Sequence, residues 1–192
     1  MTTTYTGSYP VHYIQFLIEF HVTRDYFECH ELLEEYWKEQ PGDDPLYDTW
    51  VGLIQMAVSQ YHLRRANRRG ARLMLEQALE RLTPGHLETL GLDGPALLQL
   101  LQQRLRQIQD LSQSVPYTDY ELPFVDHELL AACHERSDGA AELWGTPSNL
   151  GNDQLIHRHI LRDRSDVIAA REEALYRRQQ RRAAAARSGQ HG

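Results

Sequence analysis

Several things are scarce in this chain, and each shortage excludes something. Only two cysteines occur among 192 residues, Cys29 and Cys133. They lie far apart in helix-like sequence and in no metal or redox spacing, so neither a disulfide scaffold nor a thiolate metal centre is expected. They read as free thiols of a reducing compartment, which makes the cytoplasm the expected location. No apolar run approaches the ~20 residues that a membrane span needs. The Thr- and Tyr-rich start, Met1 to Pro10, has no basic region and does not resemble a signal peptide. No membrane partner is expected. Lysine is almost missing: of twenty basic residues nineteen are arginine, and Lys38 stands alone. No phosphate loop, dinucleotide glycine fingerprint or Ser-His-Asp order is present. No stretch alternates apolar and polar residues for long enough to demand a strand.

What is present suits a helical protein. Hydrophobic residues make up 41% and charged residues 24% of the chain, enough for a sizeable core. The net charge of −7 is unevenly spread. Residues 158–192 hold nine arginines against four acids, a balance of +5, which leaves −12 on residues 1–157.

Helical spacing repeats along the chain. Val11, Ile14, Leu17, Ile18 and His21 share one side of a first helix over residues 11–22. Asp25 and Glu28 form a capping box that starts a second, and Pro41-Gly42-Asp43-Asp44-Pro45 ends it near Gln40. A third runs from about Leu46 to Ala66 with Tyr47, Trp50, Val51, Ile54, Val58 and Tyr61 in one stripe. Asn67-Arg68-Arg69-Gly70 reads as a tight connection in which Asn or Gly takes the left-handed conformation that ends a helix. The fourth helix buries Ala71, Met74, Leu75, Ala78, Leu79 and Leu82 until Thr83-Pro84-Gly85 stops it. A fifth extends from Asp93-Gly94-Pro95 to about Ser112. Segment 113–125 is extended and punctuated by proline, Asp126 caps a sixth helix through Arg136, and Trp144 anchors a looser stretch. Ser165 caps a final helix. The expected fold is all-α, a compact helical bundle with a helical C-terminal extension. Its expected organisation is a flexible N-terminus (1–9), a core (10–112), an extension packed on it (113–170) and a basic, fraying tail (171–192).

The second helix carries a contradiction. Tyr26, His30, Leu33 and Trp37 stack within one stripe at 100° per residue. Glu34 lies one turn beyond His30, while Glu28, Glu31 and Glu35 fall on the opposite face. A histidine and a carboxylate turned inward cost free energy unless both are satisfied. On the next helix Gln55 and His62, seven residues apart, again border a buried face.

Tyr26-Phe27-Glu28-Cys29-His30-Glu31-Leu32-Leu33-Glu34-Glu35-Tyr36-Trp37, then Gly52-Leu53-Ile54-Gln55-Met56-Ala57, Tyr61-His62 and Asn67-Arg68-Arg69-Gly70-Ala71, together resemble the domain-of-unknown-function family 309. The resemblance covers roughly residues 14–82. It implies a compact helical bundle and brings no activity with it. His30, Glu31, Glu34, Gln55, His62 and Asn67 are the matching polar positions. The C-terminal half looks like an extension found in longer members, and nothing functional is carried onto it.

Three readings of the polar residues stay open. In the first, His30, Glu34 and His62 hold a divalent metal, since His and Glu at i, i+4 project side by side. Without metal, Glu34 orients His30 as a general base, which makes these two the catalytic candidates. Glu31, Gln55, Asn67 and Trp37 are the ligand-binding candidates of the same site. Glu31, angled outward, could also pair with an arginine of another helix or of a second subunit in a homo-oligomer. In the second reading the cluster is a buried hydrogen-bond network that fixes helix register within a structural or partner-binding module. In the third, Arg64, Arg65, Arg68, Arg69 and Arg72 around the Asn67 turn bind phosphate, and Arg177, Arg178, Arg181, Arg182 and Arg187 touch RNA. The acidic body and the lack of interleaved aromatics disfavour nucleic acid. His157 and His159 with Asp163 look ligand-like, but in a helix the two histidines point some 200° apart.

Overall fold

The computed structural model describes residues 9–110, 112 and 116–161. The chain divides into two compact units, residues 1–157 and 158–192. In the second unit the described part is one short helix, α9 (Arg158–Leu161). His159 lies on it, whereas His157 ends α8 (Asp153–Ile156) in the first unit. Asp163, the Ser165 cap, the final helix and the tail arginines lie outside the described residues.

Unit 1 is built around helices, and among the described residues strand pairing is limited to one isolated bridge, Leu92 to Phe124. α1 (Val11–Ile18) buries Tyr13, Ile14, Phe16, Leu17 and Ile18, while Val11, expected inside, is exposed. The chain then widens into a π-helical turn, Glu19–Thr23, closed by Arg24 in the left-handed conformation at φ 58°. A left-handed non-glycine residue is strained, and here the guanidinium's many bonds hold it. The extra residue of the π turn delivers both His21 and Arg24 to the interior. The expected cap is present: Asp25 accepts from the Glu28 amide at 3.0 Å and starts α2 (Tyr26–Glu39), while its own amide donates to Thr23 Oγ1 and Glu19 O.

α3 (Tyr47–Arg64) is the central helix. The sequence pattern predicts one apolar stripe, but Gly52, Leu53, Met56, Ala57, Gln60 and Leu63 are buried alongside Trp50, Ile54 and Tyr61. A helix enclosed on most sides loses the amphipathic signature that marks one face. α2 packs on one side of it and α4 (Arg68–Arg81) on another. The α3–α4 approach is close at Gly52, where an added Cβ would meet Leu82 Cδ2 at 2.7 Å. In the connection Ala66, rather than Asn or Gly, is left-handed, and Asn67 caps the start of α4 by accepting from the Gly70 amide. Thr83-Pro84-Gly85 stops α4 and at once opens a short helix, α5 (Pro84–Thr89), with Thr83 as cap and proline in the first turn. α6 (Gly94–Gln109), capped by Asp93, packs on α4 and α5 and ends before the predicted Ser112.

Residues 116–126 form an extended strap. Asp93 N donates to Pro123 O at 2.8 Å and Val125 N to Gly91 O at 3.0 Å, which moors the strap to the α5–α6 link. Asp126 then caps α7 (His127–Arg136), which packs on α1, and also accepts from the Tyr9 hydroxyl at 2.7 Å. Cys29 and Cys133 are both buried free thiols. Burial pushes the Cys133 thiol up to about 12 and Cys29 well above the ordinary thiol range, so neither is a poised nucleophile.

Candidate functional site

His30, Glu31 and Glu34 come together on the flank of α2. One ligand atom from each lies within 4.8 Å of the other two. His30 Nδ1 is 3.0 Å from Glu31 Oε1, and His30 Nε2 is 3.8 Å from Glu34 Oε2. Lys38 Nζ holds the other side of the Glu34 carboxylate at 3.1 Å. The three side chains are 29%, 34% and 35% exposed, so they form a rim rather than a buried cluster.

That placement differs from the predicted one for a geometric reason. The buried residues of α2 are Tyr26, Cys29 and Leu33. Their mean direction is displaced by about 40° from the expected Tyr26–His30–Leu33–Trp37 stripe. Cys29 joins the buried face in place of His30, its Sγ 3.6 Å from Phe16 O. The rotation moves His30 to the edge and lets Glu31, expected on the opposite face, fold beside it.

The other predicted residues go elsewhere. Gln55 turns to α4, donating to Gln77 Oε1 at 3.0 Å and accepting from Arg81 at 3.2 Å. His62 shares a 3.0 Å hydrogen bond with the Asn67 side-chain amide at the α3–α4 turn. Burial and the nearby Arg65 charge lower its pKa. Trp37 lies half-buried against Tyr47 with ring centroids 5.3 Å apart, and its buried indole N–H has no acceptor among the described residues. The structure therefore joins His30 with Glu34 and Glu31, and not with Gln55, His62, Asn67 or Trp37.

The arginines around the turn are largely engaged. Arg64 is buried, donating to Arg24 O at 2.7 Å and Leu155 O at 3.1 Å. Arg68 donates to the C-terminal carbonyls of α6, including Ile108 O at 2.6 Å. Arg65 lies over the Tyr61 ring, and Arg72 pairs with Glu76 at 3.6 Å.

A second polar centre was not anticipated. His21 and Arg24, 0% and 1% exposed, converge on one carboxylate, Glu121 of the strap. His21 Nδ1–H donates to one oxygen and Arg24 to the other. Arg24 also donates to Thr146 O at 2.9 Å, Phe20 O at 2.9 Å and Tyr120 O at 3.3 Å. Trp144 stacks on the His21 ring at 4.4 Å and 5°, with Phe20 and Phe124 around it. Burial lowers the His21 pKa, against the opposing pull of Glu121. Burial would raise Glu121, but the bonds from His21 and Arg24 outweigh it and hold the group below the usual carboxylate range. Two residues away Asp119 accepts from Tyr26 at 2.6 Å, from Tyr117, and from Ser148 N and Oγ at 2.7 Å each. The sequence offered one signal for this centre: His21 completes the apolar stripe of the first helix. Its partner lies 100 residues away, which no local spacing reveals.

Comparison with known proteins now adds an identity. The uncharacterized protein YpuF of Bacillus subtilis (strain 168) is 46% identical over 176 residues, 91% of this chain and 99% of that protein. A family model described as a domain of unknown function, DUF309, matches residues 13–74. The chain belongs to the DUF309 family. No solved structure matches it. The DUF309 segment contains His30, Glu31 and Glu34 together, and also His21, Arg24 and Arg64. It ends before Asp119, Glu121 and Ser148, so the strap that completes the second centre lies outside the matched residues.

Proposed function

We propose that this DUF309 protein binds one divalent cation at His30, Glu31 and Glu34. The observation that carries the reading is the convergence of three ligand atoms within 4.8 Å on one turn of one helix. One imidazole nitrogen and two carboxylate oxygens suit zinc, manganese or iron. Bonds of about 2.0–2.2 Å set neighbouring ligand atoms roughly 3–4 Å apart. Closing the set therefore asks for shifts of about 1 Å, within the reach of half-exposed side chains. Three protein ligands leave coordination positions open to water or to a second molecule, so the site would bind rather than bury its cation. Two buried free thiols support a reducing compartment as its location, which we take to be the cytoplasm.

The competing reading is a polar cluster in which His30 is held between two glutamates and Lys38 steadies the second. Calorimetric titration of tag-free protein with Zn2+ and Mn2+ separates the two. The metal reading expects one saturable site, lost in His30→Ala and weakened at least tenfold in Glu34→Gln. Heat changes indistinguishable from buffer, or a site untouched by His30→Ala, would leave the polar cluster as the account.

A further inference from the structure

The buried pair His21 and Arg24 carries an inference independent of the metal site. Both side chains belong to the π-helical turn and its left-handed cap, and both are wholly enclosed. Together they present two donors, an imidazole N–H and one guanidinium N–H, to the two oxygens of one carboxylate. Paired donors of this kind recognise a planar carboxylate geometrically as well as by charge. The occupant, Glu121, is different in character: its side chain is 45% exposed although its partners are at 0% and 2%. It thus lies between a closed basic floor and solvent.

Above it opens a cleft of about 240 Å³, walled by Arg24, Asp119, Glu121, Tyr117, Ser148 and Leu150. The cleft is large enough for a few heavy atoms and reaches the Glu121 carboxylate from the solvent side. Gly145, whose amide donates to His21 O at 2.9 Å, forms part of its rim, with φ 76°, and a Cβ added there would lie 3.7 Å from the Glu121 carboxyl carbon. A Glu121 side chain that swings outward would leave both donors unpaired, Arg24 in the cleft wall and His21 buried behind the carboxylate, a costly state unless another anion replaces it.

We infer that His21 and Arg24 form a carboxylate-recognition site, with Glu121 as its resident occupant and the cleft as the entry for the carboxylate end of a small molecule. Binding exchanges one carboxylate for another on the same two donors. No bond is made or broken. Because Glu121 is tethered, it competes at an effective concentration of about 1 mM or more, which weakens a free carboxylate by the ratio of that concentration to its own Kd, roughly tenfold for a Kd of ~0.1 mM, relative to a chain lacking Glu121.

The test uses the full chain with Glu121→Ala, titrated with sodium acetate and, at equal ionic strength, with sodium chloride and inorganic phosphate. The readouts are Tm and the NMR shifts of the Trp144 indole N–H and the Gly145 amide. The expected result is a saturable rise in Tm and saturable shifts with acetate alone, with the wild type reaching the same shifts at a concentration higher by that ratio. Glu142→Ala, an exposed acid away from the cleft, should respond as wild type does. Superimposed acetate and chloride curves in Glu121→Ala would overturn the site, and a response to phosphate but not acetate would overturn its ligand class. Should Glu121→Ala fail to fold, Glu121→Gln and the wild type decide alone: shifts confined to acetate support the site, and a flat response in both refutes it.

Discussion

Replacing Asp119 by alanine should be among the most damaging single changes outside the apolar core. Its carboxylate gathers four donors: the Tyr26 and Tyr117 hydroxyls, and the amide and hydroxyl of Ser148. These tie the strap and the Pro147–Ser148 loop to the base of α2. Tyr117 and Ser148 are half-buried and can turn to water, but Tyr26 is 0% exposed. Its hydroxyl would be left enclosed with, at most, the Tyr117 hydroxyl beside it. An unsatisfied buried donor costs about 1–3 kcal/mol, and bonds to a charged acceptor about 1.5–3 kcal/mol each. Allowing for the donors that reach solvent, the net loss should be about 3 kcal/mol. For a chain of this length that lowers Tm by roughly 6–12 °C. Urea unfolding followed by circular dichroism measures the loss directly. A double-mutant cycle with Tyr26→Phe isolates the buried pair and should give a coupling of about 1 kcal/mol or more. An Asp119→Ala protein within about 0.5 kcal/mol of wild type, the range of ordinary surface changes, would refute the claim that the strap is fastened here.

Other outcomes follow from the same geometry. Asp119 and Glu121 both have folded pKa values below their ordinary 3.8 and 4.5, and His21 lies below its ordinary 6.5. For each, the unfolded chain binds the proton more readily as pH falls, so their stabilisation is complete above the ordinary value and is lost on acidification. Urea midpoints should be level from pH 8 to about 6.5, then decline, and the His21 share should vanish in His21→Phe; a wild-type profile that rises on acidification through 6.5 would contradict the sign. Gly94→Ala should cost about 3 kcal/mol by overpacking, because its Cβ would stand 2.3 Å from the Pro84 carbonyl oxygen; thermal unfolding unchanged from wild type would show that the α5–α6 junction is looser than described. Lys38→Met should tighten Zn2+ binding by up to about fivefold by freeing Glu34 from an exposed ion pair worth at most about 1 kcal/mol, read by calorimetry; weaker binding would mean that Lys38 assists the site.

Much of the fold is legible in local sequence because local rules govern it. Asp25 and Asp126 cap the helices they were expected to cap, the Pro41–Pro45 run ends α2, and Trp144 is a packing anchor. What escapes is decided by distance or by small rotations. Tyr26-x-x-Cys29 and Tyr26-x-x-x-His30 are equally acceptable helical stripes, and only packing against α1 and α3 selects Cys29. That choice turns His30 outward and brings Glu31 into its company. Gln55 and His62 border a buried face, yet α3 has more than one neighbour, and both face the α4 side. The π turn at Glu19–Thr23 has no spacing signature of its own. Its consequence, two enclosed basic side chains, is satisfied by a strap about 100 residues further along the chain.

The proposed cation site at His30, Glu31 and Glu34 is tested most directly by anomalous scattering from crystals of the tag-free protein grown with Zn2+. One strong peak is expected about 2.0–2.2 Å from a His30 ring nitrogen and from an oxygen of each of Glu31 and Glu34. Zinc bound elsewhere, with His30 still lying between the two glutamates, would contradict it.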